Sequence, residues 1–127
     1  MRTIMKINVT IHGKYETAGK TCRVVMIPFA ATAEGVFFRG RILFDGTDTQ
    51  HIGQDGSFSL SARYMLEGTD MTGRSCRVCI ENNGSSLESC VPRIVTDSPE
   101  LAFLEEAELR SSVQPTDTGV IVTIYEV

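Results

Sequence analysis

Tryptophan is absent from the 127 residues, proline occurs 4 times, and aromatic residues make up 7% of the chain. No long apolar run exists. The longest spans Val24 to Ala31 and is interrupted by Pro28, far short of the roughly 20 residues a membrane-spanning helix needs. No block of Lys or Arg exists either. The net charge is −4 with both signs interspersed, which excludes the clustered positive charge that phosphate backbones require and gives an anionic membrane surface nothing to attract. The opening Met1-Arg2-Thr3-Ile4-Met5-Lys6-Ile7-Asn8 has no continuous apolar core, so no secretory signal is expected and a cytoplasmic location is. In a reducing compartment the 4 cysteines read as thiols. No repeat, linker or low-complexity segment breaks the chain, and its length suits one domain over 1–127.

What is present is alternation. Met5, Ile7, Val9 and Ile11 alternate with polar residues, the period-two signature of a half-buried strand. Thr21 to Phe29 is apolar on both faces and predicts a more deeply buried strand. Val36 to Phe44 predicts a third, with Gly40 allowing the bend of a barrel corner. Asp45-Gly46 is a turn dipeptide, and Thr47 to Ile52 a short polar strand. Ser57 to Glu67 is the clearest strand, with Phe58, Leu60, Ala62, Tyr64 and Leu66 on one face. Arg74 to Asn82 follows. Ser85 to Pro92 reads as irregular and Arg93 to Thr96 as a short strand. Ser98-Pro99-Glu100 predicts the start of a helix of about two turns, and Glu108–Gln114 with Gly119–Val127 a closing hairpin. Eight or nine short strands at this spacing predict an all-β antiparallel barrel or sandwich.

Strand register assembles a candidate site. If 57–67 and 74–82 pair as a hairpin, the apolar row Phe58–Leu66 opposes Cys76, Val78 and Ile80, because a one-residue slip would bury charges. Arg63, Ser61 and Glu67 then share a face with Arg77, Cys79 and Glu81, and Arg63 and Glu81 become diagonal neighbours within reach of an ion pair. Two readings of that face stand. It is solvent-exposed, and its ion pairs contribute little. Or it lines a lumen or mouth, where Asp48, Gln50, Arg63 and Glu81 orient a small polar or anionic ligand, with Glu81 held ionised by Arg63 as an anchor.

Other signals carry less. Cys76-Arg77-Val78-Cys79 is a C-x-x-C inside a predicted strand, where residues three apart face opposite sides. It lacks the helix N-terminus of a redox pair and the second ligand pair of a zinc site. His51 near Asp48 has no nucleophile context such as G-x-S-x-G and reads as an exposed loop histidine. Asp45-Gly46-Thr47-Asp48 lacks the later ligands of a calcium loop. No metal and no cofactor is expected.

Phe38-Arg39-Gly40-Arg41-Ile42-Leu43, then Gly46-Thr47-Asp48-Thr49-Gln50, Ser61-Ala62-Arg63-Tyr64, Ile80-Glu81-Asn82-Asn83-Gly84, Ser98-Pro99 and the closing Val122-Thr123-Ile124-Tyr125-Glu126-Val127 occur in an order that resembles a bacterial family of uncharacterised proteins, domain of unknown function 3237, also called uncharacterised protein family 0311. The resemblance runs from about Gly19 to Val127. It implies a closed or nearly closed, lipocalin-like antiparallel barrel and no established activity. The chain departs from the family's usual pattern at Thr49, where many members carry an aromatic, at Ser61, where many carry an acid, and at Ala31-Thr32, where many carry Gly-Gly. The stretch between Gly84 and Pro92 also looks shorter than is common in the family.

The sequence thus predicts an antiparallel β-barrel with one short helix. The leading function is binding of a small organic ligand at Asp48, Gln50, Arg63 and Glu81. The alternatives are an isomerase- or cyclase-type enzyme using Asp48 or Glu81 as base with Arg63 holding an anionic group, and a subunit that self-associates as a homo-oligomer. An enzyme predicts a carboxylate of raised pKa in a water-poor pocket, a binder an enclosed cavity with paired charges, and an assembly subunit a large apolar interface.

Overall fold

The computed structural model describes residues 1–127. Its strands are β1 (Arg2–Ile11), β2 (Tyr15–Ala18), β3 (Cys22–Glu34), β4 (Phe38–Ile42), β5 (Gly46–Gly53), β6 (Phe58–Asp70), β7 (Ser75–Gly84), β8 (Val91–Thr96), β9 (Leu109–Pro115) and β10 (Gly119–Glu126). All belong to one antiparallel sheet that runs β8-β7-β6-β4-β3-β1-β10-β9 and curls into a closed barrel. β5 continues β4 beyond a kink, filling the same slot between β3 and β6, while β2 adds to β3 at one end. Eight staves are the size at which an interior is either filled by its own side chains or left with room for one small ligand.

Several local choices explain this path. β3 was expected to stop at Phe29 but runs through Pro28 to Glu34. Pro28 cannot donate to a ladder. It stands where the partner on one side changes from β2, which pairs as far as Met26, to β1, which pairs from Phe29. Its missing N–H falls in that gap, and its carbonyl still accepts from the His12 N–H at 2.9 Å. Gly40 and Gly68 are direct partners across β4 and β6. A Cβ on Gly40 would lie 2.5 Å from the Glu67 carbonyl oxygen, a close backbone approach that glycine alone permits; the chain bends only after β4, at Leu43 and Phe44. The carboxylate of Asp45, in the kink, meets His12 Nδ1 at 2.7 Å and ties that kink to the end of β1.

One end of the barrel is packed solid. Eighteen buried residues form a continuous core, among them Met5, Ile7, Phe29, Phe38, Leu66, Val78, Ile80, Ile94 and Ile124. Leu101 and Leu104, at 0% and 1% exposure, close that end from the segment between β8 and β9. The helix predicted there is a single 3-10 turn over Ala102–Glu105. It starts later than expected: its N-cap is Leu101, with no side-chain cap, and Ser98 Oγ accepts the Leu101 N–H at 3.3 Å ahead of the turn. The turn stays short because residues three apart eclipse in a 3-10 turn, which drops Leu101 and Leu104 side by side into the core before the chain must enter β9. The carboxyl of Asp70 latches this plug to the wall. Oδ1 accepts from the Thr72 hydroxyl (2.6 Å) and from the N–H groups of Thr72 and Arg74, and Oδ2 accepts from Ser98 Oγ at 2.7 Å. Hydrogen bonds from Thr72 and then Ser98 hold the Asp70 carboxyl down at about 2.

Truncating the plug with Leu104→Ala should cost roughly 2–5 kcal/mol of unfolding free energy, read by urea denaturation. The Asp70 latch stabilises only as an ionised acceptor. Its contribution is complete above the ordinary carboxyl value of 3.8 and disappears as pH falls to about 2. Asp70→Asn should therefore be less stable than wild type at neutral pH, and the gap should narrow on acidification below 3.8. A gap that does not change with pH would show the latch to be unimportant.

Candidate functional site

The barrel's other end is not filled. There the inward positions of β1, β3, β5, β6, β7, β9 and β10, together with the Ser85–Cys90 segment, surround a cavity of about 230 Å³. Twelve of its fifteen lining residues are hydrophobic, including Val9, Phe29, Leu60, Ala62, Tyr64 and Val122; the other three are Asp48, Gln50 and Asn82. Phe29 and Tyr64 stack edge to face in the wall, with centroids 5.3 Å apart and planes at 76°. The volume lies below the roughly 300–1,000 Å³ of sites for drug-sized molecules, so any occupant is compact.

Ladder register explains which polar groups face inward. Asp48 pairs with Ala62, and Ala62 with Asn82 on its other side, so these three form one row across β5, β6 and β7. The next inward row is Gln50 opposite Leu60. Adjacent strands are about 4.8 Å apart, so Asp48 and Asn82 stand roughly 10 Å apart with only the methyl of Ala62 between them. That small side chain is what leaves the floor of the cavity open.

Asp48 is the group out of equilibrium with its surroundings. Oδ2 accepts from Gln50 Nε2 at 3.0 Å, whereas Oδ1 reaches neither solvent nor any hydrogen-bond partner. Burial pushes its carboxyl above the ordinary range, and the Gln50 bond opposes this only in part. Asn82 is better served: it donates to Ser111 Oγ at 3.1 Å. Cys90, 1% exposed, also faces the cavity. Burial first and the Asp48 charge second raise its thiol pKa, which makes it a poor nucleophile.

The four residues assembled from the sequence are thus divided by the barrel wall. Asp48 and Gln50 line the lumen. Arg63 and Glu81 do not join them. They are direct partners across β6 and β7, not diagonal neighbours, and they face outward with an N–O separation of 3.6 Å and the Arg63 side chain 72% exposed. The correction follows from parity. Ala62 and Tyr64 face the lumen, so Arg63 between them must face out. Glu67 and Arg77 make a second outer pair at 3.0 Å. The apolar row itself was legible, since Tyr64 opposes Ile80 and Leu66 opposes Val78. Cys76 lies in the core while Cys79 stands opposite Met65 on the outer face, which separates the C-x-x-C pair as strand parity requires. His51 is exposed, on β5 and not in a loop, across the wall from Asp48. Sequence reasoning missed Asn82 and Cys90; alternation from Ile80 pointed to Asn82, but nothing local placed Cys90, which enters from a loop.

No family model and no curated protein matches the sequence. Solved structures do match in fold. A protein of unknown function from Clostridium acetobutylicum is 21% identical with a TM-score of 0.80, the match covering 98% of this chain and 94% of that one. A beta-barrel-like protein from Acinetobacter baumannii is 20% identical with a TM-score of 0.70, covering 98% and 92%. An enzyme from Penicillium herquei is 14% identical with a TM-score of 0.75, covering 98% and 92%. No helix of the chain is long and apolar enough to cross a membrane.

The raised carboxyl gives a test of the lumen. Ionising Asp48 costs more in the folded barrel than in the unfolded chain, so its penalty is absent below 3.8, grows as pH rises from there to the folded value, and is constant above it. Over that window the unfolding free energy of wild type should fall relative to Asp48→Asn, measured by urea denaturation at a series of pH values. A difference between the two proteins that is flat in pH would mean that Asp48 is solvated.

Proposed function

We propose that this protein binds a compact, predominantly apolar organic molecule in the barrel lumen, with Asp48, Gln50 and Asn82 orienting its polar end. The observation that carries the reading is that Asp48, whose buried Oδ1 has no hydrogen-bond partner, lines an apolar cavity. A buried polar group left without a hydrogen bond costs about 1–3 kcal/mol, and a ligand donor would recover that. Apolar walls with a few convergent polar groups are the ordinary make-up of a small-molecule site. The polar or anionic ligand expected from the sequence loses its support here. Its intended cation, Arg63, is on the outer face, and the cavity lining holds no Lys or Arg. Membership of the family of domain of unknown function 3237 remains our proposal on the motifs quoted above. The closed barrel is the architecture that the resemblance implies.

A second reading has its own observation. A carboxyl pushed up by burial in a water-poor pocket is the mark set above for acid–base chemistry, since a catalytic carboxyl works best when its pKa approaches the working pH. In that reading Asp48 moves a proton on the bound molecule and Gln50 holds its orientation. A barrel of this fold does occur in an enzyme from Penicillium herquei, which is compatible with either reading.

The binding reading is tested with indole as a probe. The chain has no tryptophan, so indole fluorescence reports the probe alone. Its anisotropy should rise on titration with the protein. Ala62→Phe, which fills the floor of the cavity, should weaken binding by at least about tenfold while the far-ultraviolet circular dichroism stays that of the wild type. Arg63→Ala should leave binding unchanged. If Arg63→Ala abolishes binding and Ala62→Phe does not, the ligand sits on the outer face and the lumen reading is wrong.

A further inference from the structure

We infer that the lumen selects a compact apolar amine, whose ammonium group docks on the carboxylate of Asp48. The inference rests on the lumen-binding reading and narrows it to one ligand chemistry.

Three observations converge. The first is the charge balance of the cavity. Its ionisable lining groups are Asp48, Tyr64 and Cys90, all acids, and none of them is a cation. An anionic ligand would meet only groups that turn negative when they ionise. A neutral ligand leaves an ionised Asp48 uncompensated in an apolar surround, which proteins avoid by pairing or neutralising the charge. A cation removes the penalty directly, and a charge-assisted hydrogen bond is about twice as strong as a neutral one.

The second is the carboxyl itself. Gln50 occupies one oxygen at 3.0 Å and leaves the other without a partner. Gln50 fixes where the carboxyl sits without neutralising it, because an amide carries no charge. The Asp χ2 torsion is broad and roughly two-fold, so an arriving donor can turn the free oxygen toward itself without disturbing β5.

The third is the aromatic wall. Phe29 and Tyr64 line the same cavity and meet edge to face. In that arrangement the ring presenting its edge keeps both of its own faces clear of its neighbour. Aromatic faces attract ammonium groups, and they do so more strongly where water is excluded. A carboxylate beside aromatic and aliphatic walls thus complements both halves of an apolar amine. The cavity volume of about 230 Å³ limits such a ligand to one small ring or a short branched chain.

The test uses three probes of one shape and three head groups: 4-fluorobenzylamine, 4-fluorobenzyl alcohol and 4-fluorobenzoate, followed by fluorine NMR titration of the intact protein at neutral pH. The amine should bind at least about tenfold more tightly than the alcohol, with the benzoate weakest. In Asp48→Asn, which keeps the shape and removes the charge, the amine should fall to the level of the alcohol while the alcohol is little changed. If the alcohol binds as tightly as the amine, or the amine preference survives Asp48→Asn, the amine inference is overturned while lumen binding stands. If none of the three binds and indole does not either, the lumen reading fails, and the inference fails with it.

Discussion

A closed wall of eight staves gives alternate side chains of every strand to a single interior of nearly fixed width. Everything else in this molecule depends on how that interior is filled. At one end the supply of bulk is generous. Leu66, Val78, Ile80, Ile94 and Ile124 are fully or almost fully buried, and Leu101 and Leu104 are added from outside the sheet. At the other end Asp48, Gln50, Ala62 and Asn82 stand among the apolar lining residues, and together these do not fill the cross-section. The cavity is therefore what remains when the same geometry receives less side-chain volume.

The two ends also treat carboxyl groups in opposite ways. Asp70 is surrounded by donors from the β6–β7 turn and from Ser98, and its ionised form is the favoured one. Asp48 has a single donor, Gln50, and an apolar surround, and its ionised form is disfavoured. The number of N–H and O–H groups within reach, set against burial, accounts for both directions. One carboxyl secures the plug, and the other is left with unused hydrogen-bonding capacity beside the lumen. Two buried side-chain oxygens lack a hydrogen-bond partner, Asp48 Oδ1 and Ser61 Oγ; of the two residues only Asp48 lines the cavity, and that makes its free oxygen informative, because proteins rarely leave such atoms enclosed without cause.

The outer face is ordinary by comparison. Arg63–Glu81 and Glu67–Arg77 are cross-strand pairs on a solvated wall, where ion pairs contribute little to stability. Their types attracted functional interest in the sequence because Arg beside Glu is common in binding sites. Their position, one residue from lumen-facing neighbours, removes them from the cavity. A single step along a strand is the whole difference between the two environments.

Period-two alternation and turn residues alone determined most of the fold. The strands near 5–11, 57–67, 74–82 and 119–127 and the rows that share a face across β6 and β7 follow from side-chain type and spacing, because a strand's two faces are set locally. Alternation also separated the Arg63 row from the Tyr64 row. What it could not decide was which row faced the interior and whether that interior was full. Nor could it bring Cys90 and Ser111 beside Asp48 and Asn82, shorten the expected helix to one turn, or carry β3 past Pro28. Those outcomes depend on strand pairings between residues far apart in the chain and on the summed volume of side chains from seven strands and a loop. Volume and closure are properties of the assembled barrel, and no local pattern contains them.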